Sequence, residues 1–158
     1  MWSLKGQQPE IFTYGGRKRQ HLIGAVDPLG GKVHIAFSDV LKALQFQHFM
    51  EDLHIRHPKA KKLILVLDNA RVHHSKGLEP FLEENKNRLE LLFLTPYSPD
   101  LNLMEWFWKF LRKRVTPNTF FGTFKEFQHA LIKFILKFKL SSPVIQTTCS
   151  YSKLYSAL

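Results

Sequence analysis

The sequence predicts an α/β fold in which helices pack on a mixed sheet. Two strand patterns, residues 21–26 and 32–37, flank the turn sequence Asp-Pro-Leu-Gly-Gly and indicate an antiparallel hairpin. Farther along, the apolar runs 63–67 and 89–94 alternate with segments of helical period. Antiparallel strands followed by alternating strands and helices favour a mixed sheet covered by helices.

The first half of the chain is predicted to continue from strands to a helix. Residues 9–14 are read as a short strand and residues 15–19 as a basic turn. Asp39 is read as an N-cap, because it precedes a helical segment that ends near Pro58. The apolar positions of that helix recur at helical spacing: Leu41, Leu44, Phe46, Phe49, Met50 and Leu53.

The second half begins with the run 63–67, predicted to be a central strand buried on both faces. It is followed by a helix over 75–86 and a buried strand over 89–94. A rigid proline loop over 95–100 then leads into a helix over 102–115. A last helix carries apolar residues three and four apart: Phe124, Phe127, Leu131, Phe134 and Phe138. Residues 1–140 are assigned to one domain, and 141–158 to a Ser/Thr/Tyr-rich tail whose composition is compatible with disorder.

Composition narrows the class of protein. The net charge of +10 and a pI of about 9.8 favour a polyanionic partner through phosphate neutralisation. No apolar run reaches the roughly 18 residues of a membrane span, and the N-terminus lacks the apolar stretch of a secretory signal. The single cysteine, Cys149, excludes an internal disulfide framework and a multi-cysteine zinc site. We therefore expect an intracellular, cytoplasmic protein.

Asp68 follows the most apolar predicted strand. Ligands of α/β sheets bind outside the carboxyl ends of strands, so a carboxylate there reaches an open crevice from a rigid backbone. The alternative is that the Asp68-Asn69 pair only begins a turn.

Glu105 lies in a helix that is apolar nearly all round, in which Met104, Trp108, Leu111 and Val115 form one stripe. A buried carboxylate is costly unless it is paired or bound to a metal. The alternative is an i,i+4 ion pair with Lys109.

Together the two acids suggest a divalent cation site. Mg²⁺ takes hard oxygen ligands and keeps waters and substrate phosphates in its shell. Paired ions can activate the attacking oxygen and stabilise the leaving oxygen in phosphodiester displacement. Such a site usually needs a third carboxylate.

The surrounding sequence resembles the mariner superfamily of DDE transposases, in particular its bacterial insertion-sequence branch. Residues 65–73, LVLDNARVH, are similar to the motif around the second aspartate, and residues 94–108, LTPYSPDLNLMEWFW, to the motif around the third carboxylate. The 36 residues between Asp68 and Glu105 also fit. Residues 2–26 resemble the segment that follows the family's first strand, so the resemblance spans roughly residues 1–140.

This resemblance implies a ribonuclease-H-like fold, DNA cleavage and strand transfer, and Mg²⁺ or Mn²⁺ as cofactor. By position, Asp68 and Glu105 are metal ligands, and Asn69, His73 and Asn102 orient ligands or contact phosphate. The adjacent His73 and His74 are not expected to form a metal pair, because neighbouring side chains point different ways.

The sequence also departs from the family pattern. The family's first catalytic Asp lies on its first strand, which is expected to be missing here, and Asp27 is explained by its hairpin turn. The upstream DNA-reading region of the family has no counterpart either. We expect an N-terminally truncated domain, either a decayed reading frame or the distal half of an element expressed by frameshifting.

Several basic clusters fit contact with double-stranded DNA at transposon ends and target. The basic residues predicted to bind DNA are Arg17, Lys18, Arg19, Arg112, Lys113 and Arg114. A homo-oligomer or an upstream transposase fragment is the expected protein partner. The alternatives are an inactive DNA-binding or subunit-interacting remnant and a hydrolase of RNA–DNA hybrids, which the motifs support less well.

Overall fold

A computed structural model describes residues 19–95, 101–115, 121–138 and 142–150. Some predicted features lie outside these residues. They are the strand over 9–14, the basic residues Arg17 and Lys18, most of the proline loop and the helix break at 116–118. The elements are β1 (His21–Asp27), β2 (Lys32–Ser38), α1 (Ala43–Arg56), β3 (Leu63–Leu67), α2 (Glu79–Asn85), β4 (Leu89–Phe93), α3 (Leu103–Val115), α4 (Phe124–Leu136) and α5 (Pro143–Thr148). Two short 3₁₀ turns, Arg71–His74 and Lys76–Leu78, connect β3 to α2.

The described strands form two sheets of two strands each. β1 and β2 are antiparallel, with Val26 opposite Val33, as the hairpin pattern predicted. β3 and β4 are parallel, with Leu63 opposite Leu89. The α/β class with a mixed arrangement of strands is therefore confirmed.

The hairpin turn depends on Asp27. Its carboxylate accepts hydrogen bonds from the backbone N–H of Leu29 (3.1 Å) and of Gly30 (2.8 Å). Gly31 follows with a φ of 65°, a conformation that glycine adopts without steric cost. The prediction that turn chemistry explains Asp27 is confirmed.

Two hydrophobic clusters form the core. One joins β1 and β2 to α3, α4 and α5 and is centred on Phe107 and Ile145, both fully buried. The other lies beneath α1, whose Phe46, Phe49, Met50 and Leu53 are buried as the helical spacing predicted. This cluster includes residues of both sheets, since Ile23 and Ala25 of β1 and Leu63, Leu65 and Leu67 of β3 pack against it.

Three local expectations need correction. The prediction of Asp39 as N-cap is wrong, because α1 begins at Ala43 and its N-cap residue is Lys42. Leu44 of the same helix is exposed. The expected burial of β3 on both faces is wrong as well, since Ile64 and Val66 are 55% and 44% exposed.

The strand over 89–94 and the C-terminal segment also differ from expectation. Leu92 of β4 is exposed on the face of the β3–β4 pair that the cluster beneath α1 does not cover, whereas Phe93 lies on the covered face and is exposed at the end of the strand. Part of the supposed tail is ordered: α5 packs on α3, and Ile145 and Cys149 are fully buried. Among the described helices, none has the length and apolar character needed to cross a membrane.

Candidate active site

Asp68 lies directly after β3, where the strand ends and the chain turns into the first 3₁₀ segment. Its side chain is 53% exposed. One carboxylate oxygen accepts a hydrogen bond from the backbone N–H of Ala70 at 3.1 Å. The same oxygen lies 3.2 Å from Nδ1 of His73. These contacts hold the carboxylate in one orientation at the rim of the sheet, where solvent and a ligand can reach it.

The contacts of His73 define its tautomer. Its Nδ1 lies 3.1 Å from the backbone oxygen of Asp68 as well as 3.2 Å from the side-chain oxygen. Both oxygens are acceptors, so Nδ1 must carry the proton. The ring also packs on Phe46 of α1 at a centroid distance of 4.6 Å, which fixes its plane.

His74 has different partners from those of His73. Its Nε2 lies 3.3 Å from Oδ1 of Asn69, and its ring stacks on Phe93 at 4.3 Å. The two histidine rings therefore have separate contacts, with Phe46 and Asp68 for His73 and with Phe93 and Asn69 for His74.

Asn69 connects the end of β3 to the end of β4. Its Nδ2 donates a hydrogen bond of 2.6 Å to the backbone oxygen of Leu94. The backbone N–H of Leu94 in turn donates to the oxygen of Leu67 at 2.8 Å. This pair of contacts anchors the backbone on both sides of Asp68.

Glu105 lies in the first turn of α3 and is partly buried. Asn102 precedes the helix, and its Oδ1 accepts from the backbone N–H of Met104 at 3.0 Å. The backbone oxygen of Asn102 accepts from the N–H of Glu105 at 2.9 Å. Asn102 therefore acts as a helix cap that sets the direction in which α3, and Glu105 with it, begins.

Chain neighbours of the two acids line one groove between the sheets. Its lining includes Leu67, the neighbour of Asp68, and residues 101–104, which directly precede Glu105. Tertiary structure thus brings the two segments that carry the predicted carboxylates to the same crevice.

Two carboxylates suit a hard divalent cation in ligand type, since Mg²⁺ and Mn²⁺ favour oxygen donors. Within the described residues, no group of three His, Cys, Asp or Glu side chains is placed to hold a metal. The donor chemistry fits a cation, and the described donors by themselves form an incomplete set.

The basic residues of α3 occupy its last turn. Arg112, Lys113 and Arg114 are exposed there, where positive charge also complements the negative end of the helix dipole. The Arg114 guanidinium lies 5.6 Å from the centre of the Phe110 ring. Arg19 is exposed, whereas Arg17 and Lys18 lie outside the described residues.

Sequence reasoning missed the contacts that position the site. Phe46 comes from α1, whereas Phe93 and the carbonyl of Leu94 lie at the end of β4. They reach His73, His74 and Asn69 only through tertiary packing, and no local sequence signal identifies such partners.

Comparison with known proteins agrees with this geometry. A curated relative, the insertion element IS630 uncharacterized 39 kDa protein of Shigella sonnei, is 29% identical over 117 residues. That match covers 74% of this chain and 34% of the relative. The chain therefore spans about a third of the length of this curated relative.

The fold matches solved structures of the Mos1 mariner transposase. The Mos1 strand transfer complex superposes with a TM-score of 0.67 at 17% identity, covering 96% of this chain and 45% of that one. The Mos1 paired-end complex with Mn gives 0.66 at 18% identity, with coverage of 96% and 46%. The likeness confirms the ribonuclease-H-like α/β fold.

The sequence pattern of the DDE superfamily endonuclease family matches residues 1–128, which is most of the chain. This span contains β1 to β4, α1 to α3 and both candidate carboxylates. The chain belongs to the DDE superfamily endonuclease family.

Proposed function

We propose that this chain forms part of the catalytic domain of a DNA transposase. Its reaction is metal-dependent cleavage of phosphodiester bonds at the ends of a mobile element, followed by strand transfer. Asp68 and Glu105 are the catalytic carboxylates and hold Mg²⁺ or Mn²⁺. The observation that carries the proposal is that one groove is bordered by the segments bearing both acids.

The bound cation would supply Lewis-acid activation of the attacking oxygen and neutralisation of the leaving one. The protein's own residues supply the positioning. His73 and the N–H of Ala70 orient the Asp68 carboxylate, and Asn69 holds the strand end behind it. Asn102 sets the start of α3 and hence the place of Glu105. Residues that orient metal ligands in this way commonly affect metal affinity by about 10–100-fold.

The substrate in this proposal is double-stranded DNA. The net charge of +10 favours a polyanion, and the exposed Arg112, Lys113 and Arg114 contact phosphates along α3. Two of the Mos1 structures are paired-end complexes, one of them with the left transposon end. A homo-oligomer, or an upstream transposase segment, provides the protein partner, and the working location is the cytoplasm at the nucleoid.

A nicking assay on the terminal repeats of the encoding element, with Mg²⁺ or Mn²⁺, tests the proposal. We expect no cleavage by the 158-residue chain and cleavage when upstream transposase residues are added. Asp68→Asn and Glu105→Gln should each abolish that activity, while Glu84→Gln on the exposed side of α2 should not. Activity that survives either site substitution would contradict the assignment.

A second candidate function is a catalytically inactive module that binds DNA or transposase subunits. It is favoured by one observation, the incomplete donor set of the described residues. In this case DNA binding persists while cleavage is absent even after the upstream residues are supplied. Filter binding measured beside the nicking assay distinguishes the two candidates.

A further inference from the structure

Two histidines from different elements meet beside the groove between the sheets. His34 lies on β2, and His57 directly follows α1. Their Nε2 atoms are 3.0 Å apart, although the two residues are 23 positions apart in the chain. The rings lie edge to face, with their planes at 70° and their centres 4.9 Å apart. Tertiary packing therefore brings one nitrogen of each ring to the same point.

The backbone behind each histidine is fixed. His34 is paired with Ala25 in the register of the hairpin. The N–H of His57 donates to the backbone oxygen of Leu53 at 3.0 Å, and its own oxygen accepts from the N–H of Ala60 at 3.1 Å. Both imidazoles are only partly buried and line the groove, whose volume is about 290 Å³. A small solute can therefore reach the two nitrogens without a rearrangement of the backbone.

The two donor atoms suit a transition-metal ion. Imidazole nitrogen is a common ligand of Zn²⁺, Ni²⁺ and Cu²⁺. With metal–nitrogen bonds of about 2.0–2.1 Å, nitrogens 3.0 Å apart subtend an angle of about 91–97° at the metal. That angle is typical of neighbouring positions around tetragonal Ni²⁺ or Cu²⁺. Tetrahedral Zn²⁺ requires the nitrogens to separate by about 0.3–0.4 Å more.

The surroundings keep His34 in the neutral form that a metal needs, because metal ligands must be deprotonated. Burial is the main cause that lowers the pKa of His34, followed by the positive charge of His57. Arg56 and Lys32 lower this pKa further, and Asp52 opposes them. In a hydrogen bond between the two neutral rings, one Nε2 carries a proton. When that proton moves through solvent to Nδ1 of the same ring, both Nε2 lone pairs become available and no net proton is released.

The histidine pair is separate from the carboxylates of the proposed active site. Within the described residues, neither Asp68 nor Glu105 is among the charged groups that act on His34. Arg56 and Lys32 place positive charge near the pair, which disfavours a hard cation held by charge alone. Binding at the pair therefore depends on nitrogen donors, which transition metals favour and Mg²⁺ does not.

We propose that His34 and His57 bind one divalent transition-metal ion, of the Ni²⁺, Cu²⁺ or Zn²⁺ class, through their Nε2 atoms. The described residues place no group of three His, Cys, Asp or Glu side chains around a metal, so water from the groove completes the coordination shell. The ion ties the end of α1 to β2. It stabilises the folded chain, because the unfolded chain does not hold the two rings together. Such a site is independent of the proposed reaction.

Isothermal titration calorimetry on the untagged, metal-free chain of 158 residues tests the site, with Ni²⁺ and Zn²⁺ as probes and Mg²⁺ as control. We expect Ni²⁺ and Zn²⁺ to bind and Mg²⁺ to give no comparable affinity. His34→Gln and His57→Gln should each weaken Ni²⁺ binding by at least about tenfold, since loss of a group that merely orients a metal ligand already costs about 10–100-fold. The matched control is His48→Gln at an exposed position of α1, which should keep the affinity.

Two further measurements separate this site from the carboxylates and from weak surface binding. Asp68→Asn combined with Glu105→Gln should leave Ni²⁺ affinity unchanged, so a failure of the proposed function and a failure of this site are distinguishable. Free Ni²⁺ at 100 times its Kd should raise the ratio of folded to unfolded protein about 100-fold in urea denaturation. Electron paramagnetic resonance of bound Cu²⁺ should show splitting by nitrogen ligands that His34→Gln and His57→Gln both lose.

A measurement on the unsubstituted chain covers the case in which a variant does not fold. Diethyl pyrocarbonate modifies accessible imidazole nitrogens, and mass spectrometry locates the modified residues. Saturating Ni²⁺ should protect His34 and His57 from modification and leave His48 reactive.

Three results would overturn the proposal. The first is Ni²⁺ and Zn²⁺ binding no tighter than that of Mg²⁺. The second is an unchanged Ni²⁺ affinity in a folded His34→Gln or His57→Gln variant, which would place the ion at other residues. The third is equal modification of His34 and His57 with and without saturating Ni²⁺, which would mean that the pair is joined only by its hydrogen bond.

Discussion

The two sheets of this protein differ in apolar content and in surroundings, since β3 and β4 carry one charged residue, Glu90, and β1 and β2 carry several polar ones. The β1–β2 hairpin is packed by α3, α4 and α5, with Phe107 and Ile145 fully buried in the shared core. The β3–β4 pair is covered by α1 on one face, while Ile64, Val66 and Leu92 remain exposed on the other. One half of the molecule therefore buries its apolar strand face in its own core, whereas the other half, which carries Asp68, keeps apolar side chains exposed.

The strongest test of this contrast is a pair of truncations, one in each half. Phe107→Ala should lower the free energy of unfolding by about 3–5 kcal/mol, because it leaves a large cavity in a packed core. Ile64→Ala should change it by no more than about 0.5 kcal/mol, because the side chain is 55% exposed. Urea denaturation followed by circular dichroism measures both, and equal losses would contradict the contrast.

A second comparison adds a methyl group instead of removing one. A Cβ on Gly24 of β1 would lie 2.6 Å from Cε of Met104 and 2.8 Å from Cδ1 of Ile35. Gly24→Ala should therefore be destabilising, at the low end of the about 1–3 kcal/mol of overpacking, because both atoms are ends of flexible side chains that can shift.

The matched control for Gly24 is Gly77→Ala in the connection from β3 to α2. The nearest atom to its added Cβ is Oγ of Ser75 at 3.6 Å, an ordinary contact. Its effect should be close to zero or stabilising by about 0.4–1 kcal/mol through the unfolded chain. Thermal unfolding of both variants gives the sign of each effect.

Helix caps provide a smaller test. Oγ1 of Thr123 accepts the backbone N–H of Glu126 at 3.2 Å and caps α4 in the well-packed half, so Thr123→Ala should cost about 1 kcal/mol. Lys42 holds the corresponding position of α1 in extended conformation without a side-chain cap. Lys42→Ser should therefore stabilise the protein by about 0.5–1 kcal/mol, and a loss on this substitution in urea denaturation would show that the cap position is misassigned.

The smallest predicted effect is a change of stability with pH, caused by His34 in the lining of the groove between the two sheets. Burial lowers the pKa of His34 from its ordinary value of 6.5, helped by the positive charge of His57, Arg56 and Lys32 and opposed by Asp52. Nε2 of His34 lies 3.0 Å from Nε2 of His57. The folded state therefore binds fewer protons than the unfolded state below pH 6.5.

Stability should fall as the pH decreases from 6.5 through the lowered pKa of His34, and this contribution should be constant above that range. His34→Gln should make the fall shallower in urea denaturation at successive pH values. His48→Gln, at an exposed position of α1, should leave the slope as it is. An unchanged slope in His34→Gln would show that other groups cause the pH dependence.

Much of the fold was predictable because the signals are local. The hairpin turn at Asp27 and the helical spacing of Phe46, Phe49 and Met50 agree with the structure. Asp39 was misassigned because an Asp side chain can accept backbone hydrogen bonds in a turn as well as at a helix N-cap. The helix begins four residues later, at Ala43, and that position depends on packing. The buried stripe of α3 runs through Leu103, Phe107, Leu111 and Val115 instead of beginning at Met104, since its direction is set by contacts with α4 and α5.

The sequence by itself determined the described strands and the helices other than α5, the spacing of Asp68 and Glu105 and, through these motifs, the family. Only tertiary structure decided which surfaces are covered and which side chains meet. The packing of His73 on Phe46, the anchor from Asn69 to Leu94 and the exposure of Ile64 and Val66 all depend on elements distant in sequence. The physical reason is that periodicity records how apolar a face is, whereas burial depends on whether another part of the molecule, or another polypeptide, lies against it.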